Sequence, residues 1–478
     1  MSLFGSVSSV AKPSQEYQFN EILIDAKNRR FNPGRNGITT PFDLKAHVGE
    51  VHIFEDLAKG YLTAKIVVLD DLALLTEVVE LQGTEIIKMD IGTTEQGHRG
   101  NIVLEMKVVS IVKQVKTNDR ASVFVINAIS THAYKDAAIK LSRSYTGQLE
   151  DIAETILDTY LDTDVERSSD YIAKDEESAQ GRVKVVIPYI SPLEATEWLL
   201  ERATGKGGSP FFAWCPIWTQ NIKGSDGSIR FGVFRTMLAQ GIQKAATNKN
   251  LQFKYNTGTV AREPSAQSQR RTIVDYNHSN IENTLNMINQ GTVGSNISNL
   301  DTYTTQKQSK HFDLGKYIEQ LSGLVPGATG LLRTVFDDKH VISIENKQVN
   351  PSETDGRVRN LITSYGTYEW ENSYHDVFDQ SLLVSKIRKS AVLSMMYKNV
   401  LEVTVSGYSV MQEQISVGDV VSLDFQTQRT DTEIGSPIDR RDERTSGFYL
   451  IVGTRNMFSG TKHRVVMSCA KVADLPGA

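Results

Sequence analysis

The chain has 478 residues, room for about three domains at ~150 residues each. It is 40% hydrophobic and 23% charged, with 52 Lys and Arg against 57 Asp and Glu, a net charge of −5. These values exclude bulk disorder, a collagen-like chain and the strongly basic balance of a bulk nucleic-acid binder. No window of ~18 apolar residues offers a membrane span. The N-terminal Met-Ser-Leu-Phe-Gly-Ser has no charged segment ahead of a long apolar run, so no secretory signal is expected. The two cysteines, Cys215 and Cys469, exclude a disulfide framework and a Cys-based zinc site, and read as buried thiols in a reducing compartment.

Residues 1–16 are Ser-rich and aperiodic and read as an N-terminal arm. From residue 17 to 133 strands dominate: Ala46–Phe54, Leu62–Asp70, Glu85–Ile91, Ile102–Lys113 and Ala121–Ser130 alternate or run apolar between polar turns. Leu72, Leu75, Val78, Val79 and Leu81 fall at near-helical spacing, so one short helix is expected before Gly83. The strands are expected to form an antiparallel meander with no long crossover.

Residues 134–240 change character. Asp151–Leu161 reads as an amphipathic helix, and Glu194–Ala203 as a second one opened by Ser191 as N-cap and Pro192 at the first helical position. Phe211–Trp214 and Arg230–Phe234 read as a strand pair. Residues 241–385 are less regular. Asn277–Asn299 is rich in Asn, Ser and Gly and reads as extended or loop; Phe312–Leu324 suggests a short helix and Lys339–Glu345 a strand. From residue 386 the strand pattern returns in Leu401–Tyr408 and Val417–Phe425. Gln428–Arg444 reads as a charged surface loop, before a closing hairpin of Gly447–Thr454 and Lys462–Ala470.

The residues carry no chemistry of a known enzymatic kind. There is no Gly-x-x-x-x-Gly-Lys-Ser/Thr, no His-Glu-x-x-His and no Gly-x-Ser-x-Gly, and the nine His are scattered. His47 and His52 are spaced for neither strand nor helix alignment of two metal ligands. Asp70-Asp71 and Asp337-Asp338 read as solvated turn acids, because adjacent strand residues face opposite ways. Phe211–Trp218 reads as core rather than a base-stacking platform, since no basic residue interleaves it. Catalytic, cofactor-binding and metal residues are therefore all expected to be none, and no cofactor is implied.

The order of segments nonetheless resembles the central baseplate hub proteins of contractile-tailed bacteriophages, a spike-bearing family also similar to the hub half of type VI secretion spike proteins. The likeness is carried by the opening β run Val48–Ser130, Gly147–Tyr160, Pro188–Ala195 with Trp198–Ala203, the aromatic run Phe211–Trp214, Tyr276–Gly294 with its Asn-Thr-Leu-Asn-Met-Ile-Asn-Gln-Gly core, Val417–Val421, and the hairpin from Gly447 to Lys471. It implies a mainly β fold with an α+β insertion. Two tube-type antiparallel β-barrel domains related by pseudo-symmetry would form a trimeric pseudo-sixfold ring. The implied domains are an arm (1–16), a first tube-type domain (17–133), an α/β insertion (134–240), an extended segment leading into the second tube-type domain (241–300), a loop-rich insertion (301–385) and the second tube-type domain (386–478).

The implied role is a non-enzymatic adaptor that joins a sixfold tail tube to a threefold spike and leaves a channel for tape measure and DNA. Implied partners are two further copies (a homotrimer), a trimeric tail spike protein made as a separate chain, a tail tube or tube-initiator protein, the tape measure protein and baseplate wedge proteins. No specific nucleic-acid binding is implied. The place implied is the virion tail baseplate, assembled in the bacterial host cytoplasm. The alternatives are a hub of a non-viral contractile injection system and a baseplate cell-wall hydrolase.

Overall fold

Where apolar and polar residues alternate at the two ends of the chain, both ends fold as strands, and they join into one sheet. The computed structural model describes residues 16–25, 41–70, 81, 83–93, 101–116, 122–173, 182–218, 228–255, 270–280, 284–301, 305, 307–324, 342–344, 347–350, 356–363, 375–376, 380–426, 441–442 and 444–475. The arm up to residue 15, the expected helix from Leu72 through residue 80, Asp71, Asp337-Asp338 and most of Gln428–Arg444 lie outside the described residues.

The N-terminal strands are β1 (Gln18–Asp25), β2 (Phe42–Asp43), β3 (Val48–Asp56), β4 (Thr63–Asp70), β5 (Ile86–Gly92), β6 (Ile102–Lys116) and β7 (Ser122–Ser130), followed by helix α1 (Thr131–Ala138). Their inward positions are apolar at every second residue, as in Ala64, Ile66 and Val68 of β4, all buried. The meander expectation is corrected: β4 pairs with β7, not β5, so the chain crosses over between β4 and β5 before β5, β6 and β7 return to it. Asp70 is also corrected. It closes β4 on the inward face, only 1% exposed, and is not a solvated turn acid.

Next come β8 (Ser144–Gly147), α2 (Leu149–Leu161), β9 (Asp164–Glu166), β10 (Val183–Val186), α3 (Pro192–Leu200), β11 (Phe211–Trp214), β12 (Ser228–Val233), α4 (Phe234–Thr247) and β13 (Gln252–Tyr255). Ser191 caps α3 as its sequence requires, its hydroxyl accepting the Glu194 N–H, with Pro192 in the first turn. Strands β11 and β12 pair antiparallel. Leu149, Ile156, Leu157, Leu199, Phe211 and Phe231 form a second core, distinct from the one under the large sheet.

The following elements are β14 (Ile273–Asn280), α5 (Thr284–Gln290), β15 (Gly294–Asp301), β16 (Lys307–Asp313), α6 (Leu314–Leu324), β17 (Ile342–Ile344), β18 (Lys347–Val349), β19 (Arg357–Thr363) and β20 (His375–Asp376). The Asn-rich stretch is thus two strands around a seven-residue helix, with Met287 6% exposed, rather than a continuous extended segment. Then come α7 (Gln380–Lys398), β21 (Asn399–Ser406), α8 (Gly407–Glu413), β22 (Val420–Phe425), β23 (Gly447–Ser459) and β24 (Lys462–Ala473). Two helices replace strand or loop expectations here. The β pattern returns at Asn399 after α7, and Tyr408 belongs to α8, whose N-cap Ser406 accepts the Tyr408 N–H.

The large sheet has 13 strands and runs β14-β21-β24-β23-β3-β4-β7-β6-β5-β1-β2, with β22 on β23 and β13 on β22. Its two halves meet where β23 pairs antiparallel with β3, Gly453–Ser459 against Asp56–Glu50. Tyr17 reinforces the junction from the chain's first described residues: its ring lies edge-on to Phe458 at 5.1 Å, and its hydroxyl donates to the Gly460 carbonyl at the hairpin tip, 3.1 Å away.

Candidate functional site at the sheet seam

The seam is built around one buried acid. Along β3 the inward residues are Val51, Ile53 and Glu55, so alternation itself delivers a carboxylate into the core, 3% exposed. Its oxygens accept the Ile217 N–H at 2.7 Å, the Ser416 hydroxyl at 2.6 Å and the Thr454 hydroxyl. These donors come from the segment after β11, the turn before β22, and β23. Glu55 therefore ties β3 to β23, to the turn before β22 and to the segment after β11 at one point. Burial pushes its carboxyl above the usual carboxylate range, and the Ser416, Thr454 and Ile217 hydrogen bonds partly oppose that shift.

A second polar network lies beside it. Tyr171 donates its hydroxyl to Asp419 Oδ1 (2.8 Å) and accepts from Arg230 (3.1 Å), while Arg230 grips Glu166 Oε2 through two nitrogens at 3.0 and 2.9 Å. Asp419 Oδ2 accepts the Ser416 N–H at 2.9 Å, which joins this network to the residue that serves Glu55. Burial raises the Tyr171 hydroxyl well above its ordinary value, so it stays a donor. Trp214 packs edge-on to Tyr171 at 5.4 Å. Its indole also fills the space above Gly418, whose φ of +90° and 2.6 Å clearance for a Cβ admit only glycine.

The remaining titratable groups of the seam are buried or engaged with neighbours. Cys215, whose thiol burial pushes up to about 12, and Cys469 are both buried and so lack thiolate character. His463 is fully buried, stacked on Phe458 at 4.1 Å, and burial lowers it to about 3. Its Nε2 lies 3.2 Å from Asn456 Oδ1. His52 contacts Glu50 (3.3 Å) and Arg455 (3.3 Å) on the outer face of the seam. Among the described residues no group of His, Cys, Asp and Glu could hold a metal ion. The aromatic run Phe211–Trp218 is core, as its sequence indicates: Phe211, Phe212, Trp214 and Trp218 are all buried.

The solvent-facing side of the sheet carries charges of both signs in cross-strand register. Lys65, Lys88, Lys107, Arg455 and Arg464 share it with Glu50, Asp56, Asp90, Glu105 and Glu402, and Lys88 meets Glu105 at 2.9 Å. The sheet also has unfinished edges. β5 pairs with β6 only through Ile102–Lys107, so β6 beyond Lys107 has β7 on one side and no strand on the other among the described residues. Among the described residues β14 pairs only with β21 along Asn277–Asn280. Sequence reading gave no site role to Glu55, Asp419 or Arg230 and did not find the open edges. A carboxylate in register with Val51 and Ile53 was the one legible signal.

No family model matches the chain, and no curated protein matches it. Among solved structures, a tail protein from Neisseria meningitidis is similar over 95% of this chain and 97% of its own, at 10% identity and a TM-score of 0.49. A 43 kDa prophage tail protein from Shewanella oneidensis is similar over 94% of this chain and 98% of its own, at 11% identity and a TM-score of 0.44. An E. coli protein described as a component of the type VI secretion system, itself similar to phage T4 tail proteins, covers 90% of this chain with 76% of its own, at 9% identity and a TM-score of 0.39.

Proposed function

We propose that the chain is a structural hub of a contractile tail: a homotrimeric ring in which each copy supplies two tube-type domains related by pseudo-symmetry. The observation that carries this reading is the strand order on the two sides of the seam. The first half runs β3-β4-β7-β6-β5 and the second β14-β21-β24-β23-β22, and each neighbouring pair is antiparallel. One unit placed twice side by side in a chain, with open edges at both ends, is what a ring of copies needs in order to remove its edges. The closed polar networks suit a component that bears load between a tube above and a spike below.

In such a ring the mixed-charge sheet face lines the channel. Paired charges of opposite sign let tape measure and DNA pass, whereas a basic lining would retain DNA through its phosphates. The tube, spike, tape measure and wedge proteins remain the partners of this reading, and the baseplate its location. The test is reconstitution: the purified chain mixed with the tail tube and spike proteins encoded beside it, viewed by negative-stain electron microscopy. A threefold ring capped by the spike on one face and the tube on the other is the expected result; particles binding neither protein would contradict the reading.

A further inference from the structure

One register shift in β6 and one in β14 coincide with shifts in β23 and β3, and these set a correspondence between the two halves. β6 shifts register against β7 between Val108 and Ser110, and β23 shifts against β24 between Ile451 and Gly453; the further shifts, past Val112 in β6 and between Phe448 and Tyr449 in β23, have no counterpart and lie on either side of the stretch compared. β3 shifts against β4 between Val48 and Glu50, and β14 against β21 between Ile273 and Asp275. The partner strands agree independently: Ile86 faces Lys107 where Val420 faces Leu450. A β-bulge is a fixed local feature, so matching bulges set the alignment without reference to side-chain identity. Ser110 then corresponds to Gly453, Val112 to Arg455, Glu50 to Asp275 and Phe54 to Ser279.

Inside the chain, β23 uses its first part, Gly447–Leu450, for β22 and its last part, Gly453–Ser459, for β3. β6 uses its first part, Ile102–Lys107, for β5, and its last part has no second strand among the described residues. The apolar cover is missing in the same place. Val452 in the β23 bulge is 1% exposed, and Leu57 of the first half donates its N–H to the Val452 carbonyl at 2.9 Å. Val109, its counterpart in the β6 bulge, is 53% exposed, and Val112 is 50% exposed.

We infer that the outer half of β6 in one copy pairs antiparallel with β14 of a second copy, in the register by which β23 pairs with β3 within the chain. Arg455 faces Phe54 in the internal seam, so Val112 faces Ser279 of the next copy. The contact is head-to-tail: each copy offers β6 to one neighbour and β14 to the other, and six strands separate these edges within one chain. This rests on the ring reading but is narrower than it, since a ring could close through other surfaces.

The test is a double variant, Val112→Cys with Ser279→Cys, in the full chain under mild oxidation. Directly opposed residues in an antiparallel pair have Cα atoms ~4.5–5.5 Å apart, within reach of a disulfide, and the native Cys215 and Cys469 are buried. Reducible covalent trimers are expected from the double variant, with neither single variant cross-linking beyond background. Val112→Cys with Asn277→Cys, two positions out of register, should cross-link several-fold less. Native trimers by mass without a cross-link would overturn this junction and leave the ring standing. Cross-links in a ladder running past three copies would uphold the junction and overturn the threefold ring. A monomer with no cross-link would overturn both.

Discussion

Glu55 and His463 are the residues on which the fold's polar interior turns, and they titrate in opposite senses. Glu55 binds its proton more tightly in the folded chain than in the unfolded one. Its contribution is therefore complete at low pH and lost as pH rises through its raised folded value. His463 is held neutral and lowered to about 3, so its contribution is present above the unfolded value of ~6.5 and lost as pH falls from there toward 3. Melting temperatures across pH should separate the two: Glu55→Gln should lessen the loss on the rising side and leave the acid side as it was. Glu55→Ala is expected to cost about 2–4 kcal/mol in chemical denaturation, because the Ile217 N–H loses its acceptor in a closed core. Gly407 sets a comparable limit. A Cβ there would run into the His463 ring, so Gly407→Ala should destabilise by about 1–3 kcal/mol, seen as a lower unfolding midpoint.

At the scale of elements, the strands were legible and several helices were not. Alternation in β4, where Ala64, Ile66 and Val68 point inward, is a local signal and survived folding. Helix α7 blurs its signal: Val384, Ile387, Ala391, Val392, Met395 and Met396 share one buried face, but the polar Ser385 and Lys389 are buried with them and weaken the apolar stripe. Its Lys389, 6% exposed and 5.5 Å above the Phe212 ring, reads in sequence as a surface residue. The β4-to-β7 pairing was not legible either, since strand order is decided by contacts distant in sequence. The inward and outward faces give a direct check. Val465 is fully buried in β24 and Val103 is 47% exposed in β6. Val465→Asp should cost about 4 kcal/mol or more and impair folding, whereas Val103→Asp should cost under about 1 kcal/mol, mainly from facing Asp90. Urea denaturation of the two variants measures the contrast.

At the scale of the whole molecule, a single sheet joins strands from both ends of the chain, and its junction is locked by Glu55 while its outer edges have no further strand among the described residues. The negative net charge, which first argued only against bulk nucleic-acid binding, takes a more local form here: the exposed sheet face carries paired charges of both signs. The candidate site was only partly legible, because Glu55 meets Ser416 and Thr454 across most of the chain's length, and no spacing rule brings such residues together. The central claim is that copies close into a ring of three, and the most direct measurement is the mass of the native protein in solution across a range of concentrations. A species of about three times the 53.2 kDa of one chain, with no growth beyond it as concentration rises, is the expected result. A monomer at every concentration, or open polymers that lengthen without limit, would contradict it.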